Sequence, residues 1–339
     1  KRSEDVRARI DVISEVPAAW RLLVRRWSRL NRQHKRAVDG ETAPTRNDEY
    51  LLYQTLIGSF PCLAPNESWL ADYRTRIEAY MIKAAREAKS KTSWHNINEK
   101  YEAALTQFVH GLLRRSGSNL FLDDLAAQTR MFVWYGALNS LSMTLIKFTS
   151  PGVPDIFQGN EALDYSLVDP DNRRPVDYQH RRQMLAGLRG LLDRSPQYLS
   201  DALRQLLASV WDGRAKMWLV LRALALRRRD PELFTHGDYT PVKSVGGKDK
   251  HVVAYARQYQ GRGLLVAAPR LYASIGLEPG MAPIGNEVWQ DTSLDTSMLP
   301  PGVVLTDAVT GTQFQPADSK LDLARVFQYF PGAILHYGA

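Results

Sequence analysis

Apolar positions recur at helical spacing through the first two thirds of the chain. Trp69, Tyr73, Ile77, Tyr80 and Ala84 fall three or four residues apart behind Asn66, which predicts a helix capped by that asparagine. Leu105, Phe108, Val109, Leu112 and Leu113 form a second stripe, with Asn98 as its cap and the SGSN run, Ser116 to Asn119, as its end. Trp20, Leu23, Val24, Trp27 and Leu30 share one face of another predicted helix, whose opposite face would carry Arg21, Arg25, Arg29, Arg32 and Arg36. Helical spacing continues over 122–142, 198–210 and 214–229. After Asp230 the texture changes to short β-type runs at 251–259, 263–268, 303–309 and 326–337, the first two joined like a hairpin by the Gln260-Gly261-Arg262-Gly263 link. That pattern predicts a β-sandwich of about a hundred residues.

One short run breaks the helical part. Thr144 to Thr149 (TLIKFT) is apolar and rich in β-branching, which predicts a buried strand. A lone strand leaves backbone donors and acceptors unpaired, so either its partners lie outside this chain or the strand assignment fails. Pro151, Gly152 and Pro154 end regular structure after it. A polar and aromatic stretch follows, as in a loop at the carboxyl end of a barrel or sheet strand, where enzymes place substrate contacts. The alternative is a structural connection between two domains.

The chain has 339 residues, 44% of them apolar and 24% charged, enough for two or three ordinary globular domains. No apolar run approaches the ~18 residues that span a bilayer, and the N-terminus lacks a signal-peptide pattern. The chain begins with Lys1 and not Met, which predicts a piece of something longer. Cys62 is the single cysteine, so no intrachain disulfide can form, and a reducing cytoplasm is expected. The net charge of +8 owes much to the arginines between residues 21 and 36. Like charges one turn apart weaken a helix, so this stripe should meet carboxylates or water. No nucleic-acid-binding module accompanies it. Neither HExxH nor GxGxxG, GxxxxGK[ST] or GxSxG occurs, which argues against zinc, nucleotide and serine-hydrolase sites.

Several segments carry a family resemblance. PGVPDIFQGNE (151–161) is similar to the loop after the last barrel strand in the α-amylase superfamily. DPDNRRPVDY (169–178) resembles the maltooligosyltrehalose synthases, (1→4)-α-D-glucan 1-α-D-glucosylmutases. NDEYLLYQTLIGSFP (47–61), KAAREAKSKTSWHNINEKYE (83–102), DPELFTHGDYTPV (230–242) and the opening KRSEDVRARIDVISE match that family in its order.

The resemblance implies an α/β plus all-β chain: the C-terminal part of a (β/α)8 barrel with a large helical insertion, followed by a β-sandwich domain. It divides the chain into helices after barrel strand seven (1–40), the helical insertion (41–120), the last barrel strand with its loop and helices (121–230), and the sandwich (231–339). Retaining glycoside chemistry needs two carboxyl groups about 5–5.5 Å apart. Asp155, Glu161, Asp164, Asp169, Asp171 and Asp177 crowd one loop without a spacing that marks such a pair, and an ion-pair network is the alternative. In the family the catalytic carboxylates lie on strands four, five and seven, so they would precede Lys1. Substrate contacts are then expected from Lys1 and Arg2 beyond strand seven, from Asp171, Arg173, Arg174 and Asp177, and more weakly from Gln158 and the platform of Trp94. The alternatives are a frayed end, loop-bracing arginines and a packing tryptophan. The implied partners are an α-1,4-glucan and the missing barrel segment, with no metal, cofactor, nucleic acid or membrane.

Overall fold

A computed structural model of the chain describes residues 3–61, 66–115 and 119–338. Lys1, Arg2, Cys62 and the Ser116–Ser118 part of the expected helix end lie outside the described residues. The chain divides into two compact units, Lys1–Gly136 with Tyr165–Pro175, and Ala137–Asp164 with Val176–Ala339.

The first unit is helical. It holds α1 (Glu4–Asp11), α2 (Pro17–Leu30), the hairpin β1 (Arg36–Val38) and β2 (Glu41–Ala43), α3 (Arg46–Ser59), α4 (Glu67–Ala88), α5 (Glu99–Leu112) and the first half of α6 (Leu120–Thr149). The expected caps are present: Asn66 Oδ1 accepts from Trp69 N at 2.8 Å and Asn98 Oδ1 from Tyr101 N at 3.0 Å. Trp27 is fully buried, its ring 5.4–5.8 Å from those of Trp20, Tyr53 and Phe121, and its indole N–H donates to Asp124 at 2.8 Å. α1 packs closely on α6 because Gly136 has no side chain: a Cβ there would stand 2.4 Å from Arg9 Cγ.

The arginine helix is shorter than its spacing suggests. α2 stops at Leu30, Arg32 falls in a 3-10 turn and Arg36 in β1, so these two leave the helix face. Asn31 closes the helix, its N–H donating to Trp27 O at 3.0 Å, and the chain turns from there into the hairpin. Arg21, Arg25 and Arg29 lie exposed to water, whereas Arg26 reaches Asp124 at 3.2 Å.

The strand expected at 144–149 does not exist. Those residues are the last turns of α6, which runs seven residues past Ser142. Leu138, Leu141, Leu145 and Phe148 continue one buried stripe at helical spacing, and a six-residue apolar run cannot distinguish the two periods by itself. Thr149 Oγ1 donates back to Leu145 O at 2.6 Å and also meets Tyr255 Oη at 2.5 Å. An incomplete sheet can therefore not be argued from this segment.

The second unit adds α7 (Tyr178–Arg189), α8 (Pro196–Ala208), α9 (Arg214–Arg229) and α10 (Pro231–His236) before its strands. These are β3 (Thr240–Pro241), β4 (Ser244–Val245), β5 (Val252–Tyr259), β6 (Arg262–Pro269), β7 (Ser293–Asp295), β8 (Leu305–Asp307), β9 (Gln313–Phe314), β10 (Lys320–Asp322) and β11 (Ala333–Tyr337), with short helices α11 (Asn286–Trp289) and α12 (Leu323–Val326). The strand expected over 326–337 is confined to β11, since α12 and a turn take its first residues. One antiparallel sheet runs β3-β5-β6-β11-β8-β9 and a second β10-β7-β4. Tyr259 pairs with Arg262 across Gln260 and Gly261, whose φ values of 47° and 79° make the two-residue turn that matches strand twist. Ala254, Leu265, Leu335 and Leu305 of the larger sheet share one apolar cluster with Leu294 and Leu321 of the smaller. On its other face Tyr255 reaches α6, and Trp218 of α9 donates to Val309 O at 3.1 Å.

Candidate functional site

The loop Tyr165–Pro175 belongs to the first unit and is tied down by cations from α4. Arg76 and Lys83 stand seven residues apart, two helical turns, and so share a face. Arg76 grips Asp171 with both ends of its fork, Nε to Oδ1 at 2.7 Å and Nη2 to Oδ2 at 2.9 Å, and Nη2 also donates to Tyr165 O at 3.1 Å. Lys83 Nζ donates to Asp169 O at 2.8 Å. Leu167 N donates to Asp171 Oδ2 at 2.7 Å, and Arg174 Nε lies 2.9 Å from Oδ1. The Asp171 side chain is only 7% exposed. Burial alone would push its carboxyl up. The hydrogen bonds from Arg76 and Leu167 and the charges of Arg76 and Arg174 outweigh burial and hold it below the ordinary carboxylate range.

A second brace sits beneath the loop. Arg9 is buried, donates Nη1 to Phe60 O at 2.7 Å, and carries its guanidinium carbon 3.5 Å from the Tyr165 ring centroid. Desolvated stacking of this kind contributes about 2 kcal/mol. Tyr73, wholly buried beside these groups, meets Ser59 Oγ at 2.8 Å, and burial raises its hydroxyl above the usual phenol range.

Asp171, Arg173 and Arg174 are thus brought together, but they differ in what they face. Arg174 is engaged with Asp171 and reaches Ser166 Oγ at 3.3 Å. Arg173 lies 2.5 Å from Asp169 through Nε, yet its side chain is 75% exposed. Trp94 sits on the α4–α5 turn, 51% exposed, with Arg86 4.9 Å above its ring. In the second unit Gln158 is exposed on its loop, and Asp177 caps α7 by accepting from His180 N at 2.8 Å. Lys1 and Arg2 lie outside the described residues. Glu161 pairs with Arg181 at 2.6 Å, so most of the loop carboxylates serve ion pairs and a cap. Among the described residues no group of three His, Cys, Asp or Glu could hold a metal ion, and no helix is long and apolar enough to cross a membrane.

Sequence reasoning missed Arg76, Lys83, Arg9 and Tyr165. The i,i+7 spacing of Arg76 and Lys83 was the available signal, but spacing names no partner 86 to 95 residues away.

No protein-family model matches the chain. A putative maltooligosyl trehalose synthase of Mycobacterium tuberculosis (strain H37Rv) is 34% identical over 312 residues, 92% of this chain and 33% of that protein. The solved maltooligosyltrehalose synthase from Arthrobacter ramosus superposes on the whole chain with a TM-score of 0.74 at 32% identity, and 37% of its length is covered. Another maltooligosyl trehalose synthase structure gives a TM-score of 0.70 at 27% identity, with 38% of its length covered. Over almost all of its length this chain is therefore a relative of the maltooligosyltrehalose synthases, and it spans about a third of the curated relatives it matches.

Proposed function

We propose that the protein containing this chain converts the reducing-end α-1,4 bond of maltooligosaccharides to an α,α-1,1 linkage by a retaining, intramolecular transglycosylation in the cytoplasm. The observation that carries this reading is the similarity to maltooligosyltrehalose synthases across 92% of the chain. On this reading the chain is the C-terminal portion: helices after barrel strand seven (1–40), a helical insertion (41–120), the last barrel strand with its loop and helices (121–230), and a β-sandwich (231–339). With 144–149 helical, Val153 to Phe157, expected from the resemblance to lie in the loop after the last barrel strand, becomes the candidate for that strand itself. It lies outside any helix or ladder, Val153 is 95% exposed, and Ile156 and Phe157 are exposed beside it. Among the described residues it has no ladder partner. On this reading the catalytic carboxylates belong to barrel strands four, five and seven of the full-length protein, and the isolated chain would be inactive.

Cleavage would leave glucose beside a glycosyl-enzyme, and water competes with the anomeric hydroxyl for it. Isomerisation wins only if the freed glucose is held in place and solvent kept out, because a positioned nucleophile has the advantage of effective molarity. The chemistry calls for no metal or organic cofactor. Lys1, Arg2, Gln158, Asp177 and Trp94 remain candidates for the grip. Within the loop the geometry favours Arg173, which pairs with Asp169 through Nε but keeps its side chain 75% exposed, whereas Asp171 is nearly buried and Arg174 is engaged with it.

Incubation of the full-length protein with maltopentaose tests the reading. Reducing ends should disappear without accumulation of free glucose. Rising reducing power would overturn it in favour of an amylase-type hydrolase. Arg173→Gln should raise the ratio of hydrolysis to isomerisation about tenfold, the loss of one charge-assisted hydrogen bond, without moving the melting temperature. Arg174→Gln should do the reverse, lowering the melting temperature with little change in that ratio.

A further inference from the structure

Arg32 and Arg36, the two arginines that leave the α2 face, line one cavity of 610 Å³ together with Arg46, Lys35, Glu41 and Thr42. The turn after α2 supplies Arg32, β1 supplies Arg36, and Arg46 opens α3. Four cations therefore face a single carboxylate. Lys35 is satisfied by Glu49 at 2.6 Å, and Glu41 is drawn to Lys91. Arg32, Arg36 and Arg46 have no carboxylate partner among the described residues. The start of α3 is already capped by Thr45 Oγ1, which accepts from Asp48 N at 3.2 Å, so the guanidinium groups and not the helix end define the site.

Arginines that line one cavity without carboxylate partners repel one another, and a folded chain gains by placing a multivalent anion among them. A guanidinium fork matches phosphate oxygens two at a time, and a phosphoryl group carries nearly two charges where a carboxylate carries one. The cavity falls within the ~300–1,000 Å³ range of small-molecule sites, far larger than a bare anion needs. Its wall offers hydroxyl and carboxylate groups from Thr42 and Glu41, suited to the hydroxyls of a sugar. We propose that this cavity is a binding site for a phosphoryl-bearing ligand, recognised by Arg32, Arg36 and Arg46 and separate from the proposed glucan loop.

Isothermal titration of the full-length protein with inorganic phosphate, glucose 1-phosphate and glucose, at constant ionic strength and without maltooligosaccharide, tests this. Saturable 1:1 binding of either phosphate compound is expected, with glucose silent. Tighter binding of glucose 1-phosphate would mark a sugar-borne group, and equal binding the free ion. The double variant R36Q/R46Q should weaken binding at least about tenfold. Glu41→Gln should tighten it, since it removes the one carboxylate lining the cavity and frees Lys91 from its exposed ion pair, and this test does not depend on the survival of the arginine variant. No saturable heat at millimolar ligand, or an isotherm indifferent to both variants, would overturn the site.

Discussion

Replacing Arg76 with Met should lower the melting temperature of the helical unit by about 6–12 °C. Asp171 is nearly buried, and its two oxygens are held by the two ends of the Arg76 fork. Removing one partner of a buried ion pair costs about 3–5 kcal/mol, because the remaining charge is stranded out of water. Arg76 keeps some exposure and Arg174 stays beside Asp171, so the low end, about 3 kcal/mol, applies. In a domain of this size each kcal/mol shifts the transition by ~2–4 °C. Thermal unfolding followed by circular dichroism reads the change, and a shift under a degree would refute the brace. The double variant R76M/D171L should recover part of the loss, since no charge is left unpaired; Leu167 N–H would still lack its acceptor.

The same carboxylate sets a pH signature. Its folded-state pKa lies below the ordinary value. Its contribution is therefore complete above the unfolded value of ~3.9 and disappears as pH falls through the lowered folded one. The stability gap between the parent protein and Asp171→Asn should be full at pH 6, begin to close near pH ~4, and vanish in stronger acid.

Trp27→Ala should be the most destabilising single change in the helical unit, by about 3–5 kcal/mol. The indole is fully buried, meets three other aromatic rings, and donates to an almost buried carboxylate at Asp124. Alanine leaves a cavity that rigid helix neighbours cannot close, and it removes a donor from Asp124. Trp27→Phe separates the two effects. It keeps most of the packing and loses the hydrogen bond, so about 1–2 kcal/mol is expected. Urea unfolding gives both numbers, and an alanine variant within 1 kcal/mol of the parent would mean that the site collapses around the gap.

Much of the fold was legible beforehand because it is specified locally. The Asn66 and Asn98 caps, the stripes of α4 and α5, the span of α9 and the turn at Gln260-Gly261 each depend on residues within a few positions of one another. The same locality misled at Thr144 to Thr149, where six residues suit either period. Their helical state follows from Leu138 and Leu141 one and two turns earlier and from burial against the sheet. The density of acids and arginines near residue 170 signalled an ion-pair network, and the structure contains one. Which arginine braces Asp171 could not be read, because Arg76 lies on a helix 95 residues away.

By itself, then, the amino-acid order determined the helical character of the first part, the β-rich character of the last, the capping residues, and the motifs that relate the chain to glucan-rearranging enzymes. The tertiary structure alone decided that α6 continues through 149, that Arg174 pairs with Asp171 and Arg173 with Asp169, and that Arg32, Arg36 and Arg46 line one cavity. The division has a physical cause. Backbone preference is set by neighbours along the chain, whereas burial and charge pairing are set by groups that only folding brings within a few ångströms.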